Sequence, residues 1–317
     1  MSIEQKILTN IYDLCIVWNW EYDSSFVILL NEICLSRNLS VLQVTPDNLE
    51  DMFNSLINQK IGFRVFLDRA SEDDARFMPF VRWACEHSTY YINHYERASY
   101  SWNKAAMHYD LINSGLYTPY TIILPSYEEQ SILSDIDLKQ LGERFIIKPV
   151  YGSGGEGVVM DVTSMSEVNA LRQKHPICSY LLQTYIVPQN LDNRPAWFRV
   201  LYCSGQVYPC WWHTESHIYA PITESETSQY DLGSLSSITM TIANLSGLDL
   251  FSTEIAFTAD NLFVVVDYVN DQPDLRMQSN AVDGVPNDIV NDIARRLCEL
   301  VADHVGSSSD YENIGPD

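Results

Sequence analysis

The chain is 317 residues long, 46 % hydrophobic and 12 % aromatic, enough to bury the cores of two or three packed units. With 42 acidic against 19 basic residues, a formal charge of −23 and no local basic run, nucleic acid and anionic membranes are excluded as partners. Seven scattered cysteines without paired ligand spacing, no basic-then-apolar start and no apolar run of about 18 residues lead us to expect reduced core thiols in a cytoplasmic protein.

DLCIVWNW (Asp13–Trp20) predicts a buried strand ending in a polar aromatic loop, and SSFVILLNEICLSRNL has the apolar spacing of a helix. SVLQVTP, LEDMFNSLINQK and FRVFLDRA continue as strand, helix and strand, followed by a helix through RFMPFVRWACEH. Strands alternating with helices predict a parallel sheet covered on both faces, so residues 1–100 read as a Rossmann-like α/β unit. Trp18, Asn19, Trp20, Asp68 and Arg69 follow its strands, where crevices bind ligands, although turn packing explains them equally well.

A helix over Ser101–Asn113 closes on Gly115 as a left-handed cap, TPYTIIL follows as a strand, and SYEEQSILSDIDLKQLGE reads as acidic and partly helical. In FIIKPVYGSGGEGVVMDV (Phe145–Val162) two apolar strands flank a loop with glycines at 152, 154, 155 and 157. The helix SMSEVNALRQK, with Ser164 and Glu167 at capping-box spacing, and the strand YLLQTYIV complete a unit over 101–187.

From Gln189 the pattern changes to antiparallel strands, WFRVLYCSGQVYPCWWHT and LFSTEIAFTADNLFVVVDYVN, with GQ and DN as turns and a helix around Ser236–Leu245 between them. VPNDIVNDIARRLCELVADHV is an amphipathic helix ending a unit over 188–304, and 305–317 reads as a flexible tail.

The chemistry lies in three places. Lys148 enters the glycine loop, whose backbone can approach a polyanion without Cβ obstruction. Arg199 sits in an apolar strand and needs an acidic partner or a ligand to stay charged. Glu254 and Asp267 are thirteen positions apart on two strands that a hairpin brings to one face, with Asn270 three further on; these are hard oxygen donors of the kind magnesium takes. His213 and His217 are four apart with no third ligand near, a poor zinc site.

Lys104, Lys148, Arg199 and the acidic strand ending FVVVDYVNDQPDLR, in that order, resemble the ATP-grasp superfamily over roughly Asn103 to Arg276. The resemblance implies an ATP-grasp fold of α/β and α+β parts, with the nucleotide held between two mainly antiparallel sheets behind an N-terminal Rossmann-like domain. It implies ATP as cofactor, bound by Lys104, Lys148 and the loop residues Ser153, Gly154, Gly155 and Gly157. Adenine would lie against Gln183, Thr184, Tyr185 and Ile186, though a plain core strand fits these residues equally well, and Asp192 is the candidate ribose acid. Magnesium, with manganese as the alternative, would sit on Glu254, Asp267 and Asn270, while Arg199 and Arg276 hold the transferred phosphoryl group.

The implied activity is ligation of a small-molecule carboxylate to an amine through an acyl phosphate. A small-molecule kinase and a catalytically silent nucleotide-binding protein are the alternatives. Dimers are frequent among such proteins, which makes a homodimer the assembly to test. The chain departs from the family pattern where Thr184 replaces a common acid, and where Tyr268 stands two before Asn270 in place of glutamate. Either a bulge brings Asp267 into that place, or Asp271 supplies the oxygen, or this end of the site is altered; Asp271 and Asp274 also fit a solvated turn.

Overall fold

In β1 (Asn10–Trp18) the alternation puts Leu14 and Ile16 on one face and Cys15 and Val17 on the other, all four buried, which places the strand inside a sheet covered on both sides. The computed structural model describes residues 10–87, 89–152 and 154–311. After α1 (Ser24–Ser36) come β2 (Val41–Val44), α2 (Leu49–Ile57), β3 (Ile61–Arg69), α3 (Met78–Glu86) and β4 (Tyr90–Ile92). The four strands form a parallel sheet in the order β2-β1-β3-β4, as the alternation predicts. One face packs on α1 and the other on α2 and α3.

The single helix expected over Ser101–Asn113 is instead two, α4 (Tyr95–Ser101) and α5 (Lys104–Asn113). Asn103 breaks them, because its side-chain oxygen accepts the Ala106 N–H at 3.0 Å and caps the second helix. Next come β5 (Thr121–Leu124), β6 (Phe145–Pro149), β7 (Val159–Val162), α6 (Met165–Lys174) and β8 (Tyr180–Thr184), whose strands form an antiparallel sheet in the order β5-β8-β6-β7. The segment after β5, expected to be partly helical, holds only a 3-10 turn at Lys139–Leu141. Its irregular backbone is satisfied from outside: the fully buried Arg172 of α6 donates to the carbonyls of Pro125, Ser126 and Gln130 at 3.1, 3.1 and 2.6 Å.

A short hairpin, β9 (Asn190–Leu191) and β10 (Arg194–Pro195), leads into β11 (Trp197–Cys203), β12 (Gln206–Trp212) and β13 (Tyr219–Pro221). After α7 (Glu224–Gln229) and α8 (Ser234–Ser246) come β14 (Leu250–Phe257) and β15 (Phe263–Asn270), closing a five-stranded antiparallel sheet in the order β13-β12-β11-β14-β15. Phe198, Val200, Phe251 and Ile255 pack with Leu235 and Ile242 of α8, which leaves Trp197, Arg199, Glu254 and Ala256 on the opposite face. The two antiparallel sheets meet along β15, where Lys148 of β6 reaches the Val266 carbonyl and the Val265 N–H donates at 2.8 Å to the carbonyl of Tyr117, in the segment leading into β5.

Finally α9 (Asn287–Tyr311) packs back on α1 through Val290, Ile293, Leu297 and Val301, joining the C-terminal end to the N-terminal sheet. The helix runs through Tyr311, into the stretch expected as a tail, and 312–317 lie outside the described residues.

Candidate functional site

The glycine loop joins β6 to β7, and all four of its glycines have positive φ, from 57° at Gly154 to 142° at Gly152. At Gly157 a Cβ would also come within 2.8 Å of the Pro149 ring, so this position is closed to a side chain twice over. Ser153, expected on the phosphates, lies outside the described residues. Lys148, at the end of β6, reaches across to the other sheet and donates to the Val266 carbonyl of β15 at 3.1 Å. Lys104 opens α5 and donates from Nζ to the carbonyl of Gly152 in the loop. Burial holds the Lys104 ammonium below the ordinary lysine range; Asp267 draws it up and Lys148 pushes it down, which puts all three charges in one field.

On the opposing sheet Glu254 of β14 stands directly across from Asp267 of β15, with register shifts on both sides of the pair. The extra residues are on β15, which is therefore bulged on both sides of Asp267. Glu254 accepts from Arg199 Nη1 at 3.0 Å through one oxygen and from Trp197 Nε1 at 3.1 Å through the other. Arg199 also donates to Ser252 Oγ at 3.3 Å, and its guanidinium lies 5.0 Å from the Trp212 ring centroid.

Burial pushes the Glu254 carboxyl upward, Arg199 opposes this, and Asp267 adds to it by like charge. Burial works against the Arg199 charge too, but Tyr219, Glu254, Asp267 and Asp274 together hold the guanidinium above its ordinary range. Two donors meet the Glu254 oxygens, and the Asp267 carboxyl facing it adds a like-charge cost that a divalent cation would remove. Each carboxylate oxygen keeps lone pairs beyond those its donors use. Asn270 pairs with Ser252 further along the hairpin, and its side-chain oxygen also accepts from the Gln272 N–H at 3.1 Å. Among the described residues no three His, Cys, Asp or Glu cluster for a metal; what lies here is two carboxylates and a carboxamide, a set that suits magnesium shared with phosphate oxygens.

Asp271 lies away from this set. Its carboxylate is buried beneath Trp102, whose Nε1 donates at 3.0 Å, and it lines a small cavity with Asp68, Tyr91 and Asn93. Arg276 is likewise committed, donating to Asp274 at 2.8 Å and Asp283 at 2.9 Å with Trp20 and Tyr22 at 5.7 and 5.6 Å from its guanidinium. Asp274 is thus a partner of Arg276 rather than a bare turn residue.

The strand expected over Tyr180–Val187 stops at Thr184, and Tyr185 and Ile186 are half-buried in the crossing between the two sheets. Ile186 packs on Ala256, Val264 and Val266, while Gln183 turns inward. Its amide donates to Thr121 Oγ1 at 3.0 Å and to the Tyr268 hydroxyl at 2.8 Å, and the residue is buried, so its side-chain donor is not offered to a base. Asp192, expected at the ribose, is exposed at φ 47° in the turn between β9 and β10, where it accepts the Tyr230 hydroxyl.

Of the first-unit candidates, Arg69 forms a buried ion pair with Asp23, and Asp68 caps its own turn by accepting the Ala70 and Ser71 N–H groups at 3.0 and 2.9 Å. His213 accepts the Ser216 N–H at 3.1 Å, a turn contact. Trp197 and Ser252 were not anticipated, although each stands two residues from an anticipated one on the same strand face, a signal that strand alternation supplies. The Tyr268 contacts carried no such signal.

No protein-family model and no curated protein matches the sequence. Solved structures do match in fold. The ATP-grasp ligase PsnB complexed with minimal precursor, Mg and ADP superposes with a TM-score of 0.61 at 15 % identity, covering 92 % of this chain and 98 % of that one. A RimK domain ATP-grasp protein from Sphaerobacter thermophilus gives 0.61 at 16 %, covering 90 % and 99 %. D-alanine–D-alanine ligase from Bacillus anthracis complexed with ATP gives 0.61 at 13 %, covering 96 % and 100 %. The chain therefore has the ATP-grasp fold. Among the described residues no helix is long and apolar enough to cross a membrane.

Proposed function

We propose that this protein is an ATP-dependent ligase that joins a carboxylate to an amine through an acyl phosphate, releasing ADP and phosphate. The observation that carries the reading is the opposition of charge where the two sheets meet: Lys148 reaches from the central sheet to β15, beside the Glu254–Asp267 pair that Arg199 attends. A polyphosphate with its divalent ion satisfies both walls at once, the lysines meeting phosphate oxygens and the carboxylates meeting the metal.

In this reading Lys104 and Lys148 balance the triphosphate charge while Gly154, Gly155 and Gly157 let the loop amides close over it. Glu254, Asp267 and Asn270 would hold magnesium, or manganese in its place, and the bound ion would neutralise phosphate oxygens as charge develops. Arg199, paired with Glu254 here, would turn its fork onto the phosphoryl oxygens and then onto the acyl phosphate. Adenine lies against Thr184, Tyr185 and Ile186, read by backbone groups. Catalysis rests on positioning and electrostatics, with no protein nucleophile. The two substrates would meet beside Arg276, where the first unit supplies Trp20 and Tyr22.

Support for a ligase over a kinase comes from charge: a polyanionic acceptor wants spare cations, and Arg69 and Arg276 are already paired with acids. The test is phosphate release against a panel of carboxylates and amines with mass spectrometry of the products. An amide with stoichiometric phosphate supports the reading. A phosphorylated product without amide supports the kinase, and nucleotide binding without ADP release under every mixture supports the silent protein.

A further inference from the structure

Tyr268 stands where the resemblance leads one to expect a metal-binding glutamate, yet its side chain leaves the metal side of β15. It is 3 % exposed, and its hydroxyl joins two other elements: Gln183 Nε2 donates to it at 2.8 Å from β8, and His108 Nδ1 lies 2.8 Å away on α5. The phenol oxygen accepts from Gln183 and shares one proton with His108 Nδ1, so a single hydroxyl ties β8, β15 and α5 together. Burial lowers the affinity of His108 for a second proton.

Each of the three elements carries part of the proposed site next to its bond with Tyr268. His108 is one helical turn after Lys104 on α5. Gln183 immediately precedes Thr184, where β8 gives way to the crossing between the sheets. Asp267 immediately precedes Tyr268 and faces Glu254 across the bulge. A bulge leaves the rotation of the strand weakly specified by the ladder alone, because the regular pairing is interrupted on both sides of Glu254–Asp267.

We infer that Tyr268 is the positioning residue of the nucleotide site: its hydroxyl pins the bulge so that Asp267 meets Glu254, and fixes Lys104 and the β8 crossing relative to that pair. The inference rests on the ligase reading above. It makes the departure from the family pattern a substitution of means, in which the bulge supplies the acid and the phenol holds the bulge. Loss of the hydroxyl strands one N–H of the Gln183 amide, whose other bond goes to Thr121, and the His108 ring nitrogen, so the three elements lose their common reference.

The test measures binding rather than turnover. Mn2+ bound in the presence of ADP is followed by the paramagnetic signal of the free ion, and ADP affinity by calorimetry with Mg2+, for the full chain and for three variants. Tyr268→Phe removes only the hydroxyl, and Gln183→Met is nearly isosteric and lacks the donor. Tyr90→Phe is the control, since it removes a comparable 2.8 Å bond to Asp249 remote from the cleft. We expect Tyr268→Phe and Gln183→Met each to weaken Mn2+ and ADP binding about tenfold, and Tyr90→Phe to lower thermal stability without changing either affinity. Wild-type affinities in both Tyr268→Phe and Gln183→Met, with stability alone reduced, overturn the inference and leave the ligase reading standing. Absence of ADP and Mn2+ binding by the unmodified chain overturns both.

Discussion

Arg69 separates a structural from a substrate-binding account of the first unit. Its Nε and Nη2 donate to the two oxygens of Asp23 at 2.8 and 2.7 Å, and Nη2 also donates to the Pro273 carbonyl at 3.1 Å. Both side chains are 3 % exposed, so water cannot replace either partner. Arg69→Met keeps much of the packing on Phe26, whose ring lies 5.6 Å from the guanidinium, but leaves Asp23 buried and unpaired. Removing one partner of a buried pair costs about 3–5 kcal/mol, and the lost bond to Pro273 adds about 1–3 kcal/mol from its unsatisfied carbonyl. Urea unfolding followed by tryptophan fluorescence reads the loss as a lower midpoint at unchanged slope. The double variant Asp23→Leu/Arg69→Met removes the stranded charge and should recover most of it. A loss under about 1 kcal/mol in Arg69→Met, with phosphate release sharply reduced, would refute the strut and return Arg69 to the substrate site.

Lys148→Ala should lower ATP-dependent phosphate release at least a hundredfold while far-ultraviolet circular dichroism stays unchanged; full activity contradicts its phosphate role. Glu254→Ala should abolish turnover at every Mg2+ concentration and leave Arg199 unpaired, and a rate restored by excess Mg2+ would place the metal elsewhere. Gly157→Ala, strained at φ 72° and crowded by Pro149, should raise KM for ATP with little change in unfolding midpoint, so an unaltered KM removes the loop from the nucleotide site. Because burial holds Lys104 below the usual lysine range, its charge is present at low pH and is lost as pH rises through the lowered value. The alkaline limb of kcat/KM for ATP should therefore lie below the ordinary lysine range and move to higher pH in Lys104→Arg; an unmoved limb assigns it to another group.

The parallel unit was legible because its strands are buried on both faces and read as apolar runs between helical patterns. The glycine loop and the Glu254–Asp267 hairpin were legible for a related reason: positive φ and strand alternation leave local marks in the sequence. The bulge appeared only as one of three alternatives, since pairing register depends on the partner strand. The contacts that Gln183 and Asp192 make were hidden on tertiary grounds. A glutamine at the end of a strand looks the same whether it faces a base or a buried tyrosine, and an acid in a two-residue turn looks the same beside a ribose or beneath Tyr230. The irregular backbone after β5 hid in the same way, because the residue that satisfies it, Arg172, lies on a helix 42 positions beyond Gln130.

The most direct measurement is a crystal structure with a non-hydrolysable ATP analogue and Mn2+, collected for anomalous scattering. The account predicts a manganese peak between Glu254 and Asp267, the phosphates within reach of Lys104 and Lys148, and Arg199 turned from Glu254 toward the γ-phosphate. A metal peak away from that pair, or a nucleotide bound outside the cleft between the two antiparallel sheets, would contradict it.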